Sequence, residues 1–258
     1  MRVSRAVVDQ LVAGGIDTVF GIPGKQTLPL NEAIEGREDI RFVVARHETA
    51  VSHAAWGYAE TSGDPAATLV VPGPGDMNAM NGLKNAHNDC TPLVHIAVET
   101  EPAVRGGDGI HETPPDTYDN VVKENRLVER PSAVRVEIAR ALETATMPPK
   151  GPVRVGIPKN FLREEHPVAT PPSLSPDSQP APAEEDIEAA AACLASATRP
   201  TVLVGGGVRA AEAGPELLAV ADALDAPVVT TYKGKGTVPD DNDCVAGTLS
   251  GSASPELL

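Results

Sequence analysis

The chain has 258 residues, 41% of them in the hydrophobic set, which is enough for one large domain or two small ones with buried cores. Its 21 Lys and Arg against 36 Asp and Glu leave a formal charge of −15, which disfavours DNA, RNA or an anionic membrane face as partner. Only seven of the basic residues are Lys, and acid excess with few lysines suits a surface kept soluble in high salt, as it also suits an ordinary acidic cytosolic protein. Cys90, Cys193 and Cys244 are an odd number, far apart and without CxxC spacing, so neither a disulfide framework nor a zinc site is expected. Asp9 and Gln10 interrupt the first apolar run, and no later stretch has the length of a membrane span. A cytoplasmic, soluble protein is the expectation.

In chain order, the first helix is expected at 4–13, with Ser4 as N-cap and Gly14-Gly15 as its stop. Apolar, β-branched runs follow at Thr18–Phe20, Arg41–Val44, Thr68–Val71, Leu93–Val98 and Val153–Ile157, separated by segments of helical period such as 47–60 and 132–146. Strand runs that are apolar throughout, joined by helices, predict an open α/β fold with a six-stranded, mainly parallel sheet over 1–165. Residues 166–183, HPVATPPSLSPDSQPAPA, read as an interdomain linker. Beyond it, a helix near 184–197, a strand Thr201–Val204, a helix near 211–224 and a strand Pro227–Thr231 predict a Rossmann-like unit over 184–258. Ser254-Pro255-Glu256 reads as the start of a further helix, so this second domain is expected to be incomplete.

Several turns are candidates for chemistry. Phe20-Gly21-Ile22-Pro23-Gly24 leaves room for a ligand at a strand's carboxyl end, or is simply a βα turn. Glu48, in Arg46-His47-Glu48, stands at the ligand edge of a parallel sheet, although an acid in a first helical turn also complements the helix dipole. The turn Val71-Pro72-Gly73-Pro74-Gly75-Asp76-Met77-Asn78 could cradle a ligand, but no Lys follows in P-loop spacing. Gly106–Glu112, with His111 and Glu112, is either a substrate-facing loop or a solvated one. Gly205–Ala210 matches the GxGxxA form of a dinucleotide fingerprint, with Asp225 about 20 residues on.

Taken in order, FGIPG, ARHETAVSHAAWGYAETSG, VPGPGDMNAMNGL, DCTPLVHIA and GPVRVGIPKN resemble the pyrimidine-binding domain of thiamine-diphosphate enzymes of the acetolactate synthase, pyruvate oxidase and benzoylformate decarboxylase group. RPTVLVGGGVRAA and DAPVVTTYKGKGTVPDD resemble the first half of that group's central domain. The resemblance implies that Glu48 is the glutamate that hydrogen-bonds N1′ of the aminopyrimidine. It places Pro23, Gly24, Gly73, Pro74 and Asn78 around the pyrimidine pocket. His111 falls where relatives carry a Gln beside cofactor and substrate, which makes it a candidate proton donor or substrate contact. Pro72 stands where a Ser is common.

The resemblance further implies a 2-keto acid substrate, C–C bond formation or decarboxylation, a place in branched-chain amino acid biosynthesis, and a homo- or hetero-oligomer. Thiamine diphosphate is the implied cofactor, with Mg2+ held by a separate diphosphate-binding domain or subunit, and FAD bound in some members. The GDG motif followed by paired asparagines that marks the metal site is not found, since Gly107-Asp108-Gly109 follows no apolar strand. The chain is therefore expected to supply half of a site and to be inactive alone. A noncatalytic partner keeping the fold, or a dinucleotide-binding module at 205–210, are the rival expectations.

Overall fold

A computed structural model describes residues 1–170, 181–250 and 253. The chain divides into two compact units, Met1–Pro176 and Asp177–Leu258. In unit 1, strands β1 (Thr18–Gly21), β2 (Arg41–Val44), β3 (Ala66–Val70), β4 (Leu93–Glu99), β5 (Glu124–Leu127) and β6 (Val153–Pro158) form one parallel sheet in the order β2-β1-β3-β4-β6-β5. Its helices are α1 (Val3–Ala13), α2 (Leu28–Ile34), α3 (Glu48–Ser62), α4 (Pro74–Asn78), α5 (Met80–Asn88) and α6 (Val134–Thr146).

The two faces of the sheet are covered by different helices. Val94, Ile96 and Val98 of β4 and Val153, Val155 and Ile157 of β6 pack with α1, α2 and α6. The alternate residues Leu93 and Ala97, with Ala66 and Val70 of β3, pack with α3 and α5. Every residue of β3, β4 and β6 is buried, which is why these strands read as mostly apolar runs without polar alternation. Each fully buried Leu or Ile here stabilises the fold by about 1.5–3 kcal/mol. The small residues Ala55 and Ala59 of α3, both buried, let it lie close to the sheet.

One local expectation needs correction. Ser4 is not the cap of α1: it lies inside the helix with its hydroxyl buried, and the cap position is Arg2. The first helical amide, that of Val3, is satisfied instead by the Glu164 carbonyl at 3.0 Å, a tertiary contact invisible to a local capping rule. The sixth strand, β5, has the sequence ENRL and no apolar run, because it is an edge strand paired only with β6.

The start of the proline-rich segment packs on unit 1, where His166 donates its amide to the Met1 carbonyl, Ala169 donates to Ser132, and Val168 touches the core. Unit 2 contains α7 (Glu184–Ala195), β7 (Val202–Val204), α8 (Gly206–Ala210), α9 (Gly214–Leu224), β8 (Val228–Thr230) and β9 (Val245–Thr248). Its strands form a parallel sheet β7-β8-β9 over a small core of Val204, Ala221, Val228 and Val238. Ser254-Pro255-Glu256 lies outside the described residues. Among the described residues no helix is long and apolar enough to cross a membrane.

Candidate functional site

The loops that follow β1, β2 and β3 meet at the carboxyl edge of the sheet, where parallel α/β folds hold ligands. Glu48 is the first residue of α3, and the helix is capped by His47, whose Nδ1 accepts the Thr49 amide at 3.2 Å. The half-buried Glu48 carboxylate receives one hydrogen bond among the described residues, from Asn78 Nδ2 to Oε2 at 3.3 Å. Its other oxygen, Oε1, faces Gly75: a Cβ built there would lie 3.2 Å from it and 2.7 Å from Val71 Cγ2. Gly24 closes on the other methyl of Val71, so Val71 is wedged between the β1 and β3 loops. Thr49 Oγ1 donates to the Asn78 carbonyl at 2.8 Å and ties α3 to the turn.

Gly73 has φ +64, and a Cβ there would run into the Ile110 carbonyl and come within 3.0 Å of His111 Cα. The Gly106–Glu112 loop therefore lies directly on the glycine turn. Gly73→Ala is expected to destabilise unit 1 more than Gly15→Ala, where φ is +84 but no atom lies within 4 Å. The open position should cost about 1–2 kcal/mol for its left-handed backbone alone. Urea unfolding of the two variants checks the difference; equal losses would mean that the loop does not press on Gly73.

The structure thus brings Glu48, Gly73, Gly75, Asn78 and the backbone of His111 together, with Gly24 behind Val71. Pro74 is the exposed first residue of α4, and Pro23 is exposed beside Gly24. The His111 carbonyl accepts from Thr100 Oγ1 at 3.2 Å, and its half-buried ring lies 3.8 Å from Asp108 Oδ1. Glu112 serves the loop itself, since Oε1 accepts the amides of Gly106, Gly107 and Asp108. Asp108 is engaged by Thr100 at 2.7 Å and Lys159 at 3.3 Å, and among the described residues no group of three His, Cys, Asp or Glu could hold a metal.

Sequence reasoning passed over a buried polar cluster just beneath the turn. Thr68, His95 and Arg154 sit side by side in register across β3, β4 and β6. Asp76 of α4 lies over them, fully buried: Oδ1 accepts from His95 Nε2 at 2.9 Å and Tyr118 Oη at 2.6 Å. Oδ2 accepts from Thr113 Oγ1 at 2.7 Å and Arg154 Nη2 at 2.5 Å. Arg154 also donates to Glu99 and stacks 4.9 Å from the Tyr118 ring centroid. Polar residues within runs that should be buried on both faces, His95 in LVHIAVE and Arg154 in VRVGIP, were the available signal.

The protonation pattern follows from these contacts. Burial opposes ionisation of Asp76, but the His95 hydrogen bond and the Arg154 charge win and hold its carboxyl well below the usual range. Burial pushes His95 down, so its ring is neutral, donating from Nε2 and accepting the Thr68 hydroxyl at Nδ1 over 2.6 Å. Burial likewise raises Glu99 and Tyr118. Thr68, His95 and Asp76 have the connectivity of a hydrolase triad, but all are sealed from solvent, so no substrate reaches the Thr68 hydroxyl.

Unit 2 corrects one part of the dinucleotide fingerprint, the assignment of Asp225. Gly205–Gly207 follow the carboxyl end of β7, whereas Asp225 caps α9 and precedes β8, which runs parallel to β7. The acid therefore lies at the opposite end of the sheet from the glycines and cannot meet the ribose of a dinucleotide held there.

Comparison with known proteins agrees with this architecture. Residues 1–120 match the N-terminal TPP binding domain of thiamine pyrophosphate enzymes, and residues 187–257 match their central domain. The chain belongs to the thiamine pyrophosphate enzyme family. It is 33% identical to the acetolactate synthase large subunit of Corynebacterium glutamicum over 96% of this chain and 40% of that protein. It is 35% identical to a Pseudomonas aeruginosa protein assigned as a 2-ketoarginine decarboxylase, over 96% of this chain and 44% of the relative. A solved structure from Mycobacterium smegmatis, assigned as a thiamin diphosphate-dependent enzyme, superposes with a TM-score of 0.87 at 27% identity, over 97% of this chain and 48% of that one. The chain thus corresponds to the N-terminal and central domains of acetolactate synthase-like enzymes and spans less than half the length of these family members.

Proposed function

We propose that unit 1 is the pyrimidine-binding half of a thiamine-diphosphate site in a 2-keto acid enzyme, with acetolactate synthase-like condensation ahead of simple decarboxylation. The observation that carries this reading is the Glu48 carboxylate, steadied on one oxygen by Asn78 and facing side-chain-free Gly75 on the other, which takes no hydrogen bond among the described residues. A flat, edge-protonated heterocycle suits that carboxylate: Oε1 can accept from a ring N–H. When bound, the cofactor supplies an acidic carbon, C2, and accepts the electron pair released from a 2-keto acid. Glu48 holds and moves the proton at N1′, and His111, half-buried in the loop over the glycine turn, is the candidate to meet the substrate. The diphosphate and Mg2+ are assigned to a domain or subunit outside this chain.

Calorimetric titration with thiamine diphosphate and Mg2+, of this chain alone and mixed with a diphosphate-domain chain, tests the proposal. Saturable binding together with pyruvate turnover is expected only in the mixture. Absence of turnover in every complemented mixture would favour a noncatalytic partner that keeps the fold.

A further inference from the structure

We propose that Asp76 is a positioning residue that holds the Gly73–Asn78 turn and the Gly106–Thr113 loop in register, so that Glu48 and His111 face the same ligand. Two contacts staple the loop segment to this one carboxylate: Thr113 Oγ1 to Oδ2 at 2.7 Å, and Tyr118 Oη to Oδ1 at 2.6 Å. Tyr118 Oη also lies 2.7 Å from the Asp76 carbonyl, so side chain and backbone of Asp76 are both held. On the other side, Asp76 belongs to the short helix that carries Gly75 and Asn78 to Glu48. Underneath, Arg154 and His95 fix the carboxylate to β6 and β4, so neither wall can shift without breaking a buried charged hydrogen bond.

The placement is more specific than a core ion pair requires. Arg154 already has Glu99 as a carboxylate partner. A second buried acid adds a desolvation cost that an apolar residue would avoid. What Asp76 adds is an acceptor facing two donors, Thr113 at the end of the loop and Tyr118 five residues beyond it, which an apolar residue would leave unpaired. The catalytic purpose of the joint rests on the cofactor reading above, but its existence does not.

Thr113→Val tests the joint in this chain without any ligand. It removes only the hydroxyl of a half-buried residue and leaves Asp76 its other three donors. Amide exchange is expected to quicken roughly three- to tenfold, the scale of one lost hydrogen bond, at His111 in the loop and also at Met77 in the turn. The melting temperature should stay near that of the parent, and Thr113→Ser, which restores the hydroxyl, should return both amides to slow exchange. A change confined to the loop, no change at either amide, or failure of the Ser variant to restore them would overturn the proposal. Coupled exchange in a chain that fails to bind thiamine diphosphate even when complemented would keep the joint and remove the cofactor reading.

Discussion

Glu48→Gln is expected to slow hydrogen–deuterium exchange at C2 of thiamine diphosphate by roughly 10²–10⁴-fold in the complemented enzyme, the usual scale of general acid and base effects. The amide keeps the size of the carboxylate and can still hydrogen-bond a ring nitrogen, so cofactor affinity should fall much less than the rate. It cannot take up and return a proton, and that is the step the substitution isolates. His111→Ala is the contrast: its backbone lies over the glycine turn and its ring beside Asp108, so substrate turnover should fall while C2 exchange changes little. Unchanged C2 exchange in Glu48→Gln would leave Glu48 as an acid in the first turn of α3, favourable to the helix dipole and nothing more.

The second large effect is expected on stability. Asp76→Ala removes the acceptor of His95 Nε2, Tyr118 Oη and Thr113 Oγ1 and one of the two carboxylates around Arg154. Breaking a buried charged pair from one side costs about 3–5 kcal/mol. For a domain of this size the melting transition of unit 1 should drop by on the order of 10 °C, read by calorimetry.

The same cluster predicts acid sensitivity in the parent chain. Burial holds the His95 pKa below its ordinary value, and burial with the nearby Lys84 does the same for His87. The unfolded chain therefore takes up protons that the folded chain refuses, and stability should fall as pH drops below about 6.5. Asp76, whose folded pKa is depressed, adds a second loss below about 3.9. Glu99, raised by burial, acts in the opposite sense: its contribution is lost as pH rises through its folded pKa, so it offsets part of the histidine effect in weak acid. A melting temperature flat between pH 8 and pH 5 would contradict this ordering.

Much of the architecture was legible from local pattern. The apolar runs of β1, β3, β4 and β6 announce themselves because a strand buried on both faces has no regular polar side to show, and α3 starts where the RHE segment places it. Strand β2 was equally legible although three of its four residues are exposed, since its composition is still RFVV. Edge strands β5 and β9 were not, for ENRL and VAGT carry too little apolar signal to separate them from loops. The glycines of the candidate site stood out in sequence, but their reasons did not: Gly73 yields to Ile110 and Gly75 to Val71 and Glu48, and of these Ile110 and Glu48 come from other parts of the chain.

The polar interior is the clearest case. Nothing local joins Asp76 to His95, Tyr118 and Arg154, which lie up to 78 positions away along the chain. They meet because β6 crosses over to pair with β4 while β5 takes the outer edge, and that order sets Arg154 beside His95 in register. Periodicity encodes which face a residue presents, a property of its neighbours in sequence. Strand order is decided by which crossovers bury the most surface at once, so the partner of a buried charge exists only after the sheet has assembled.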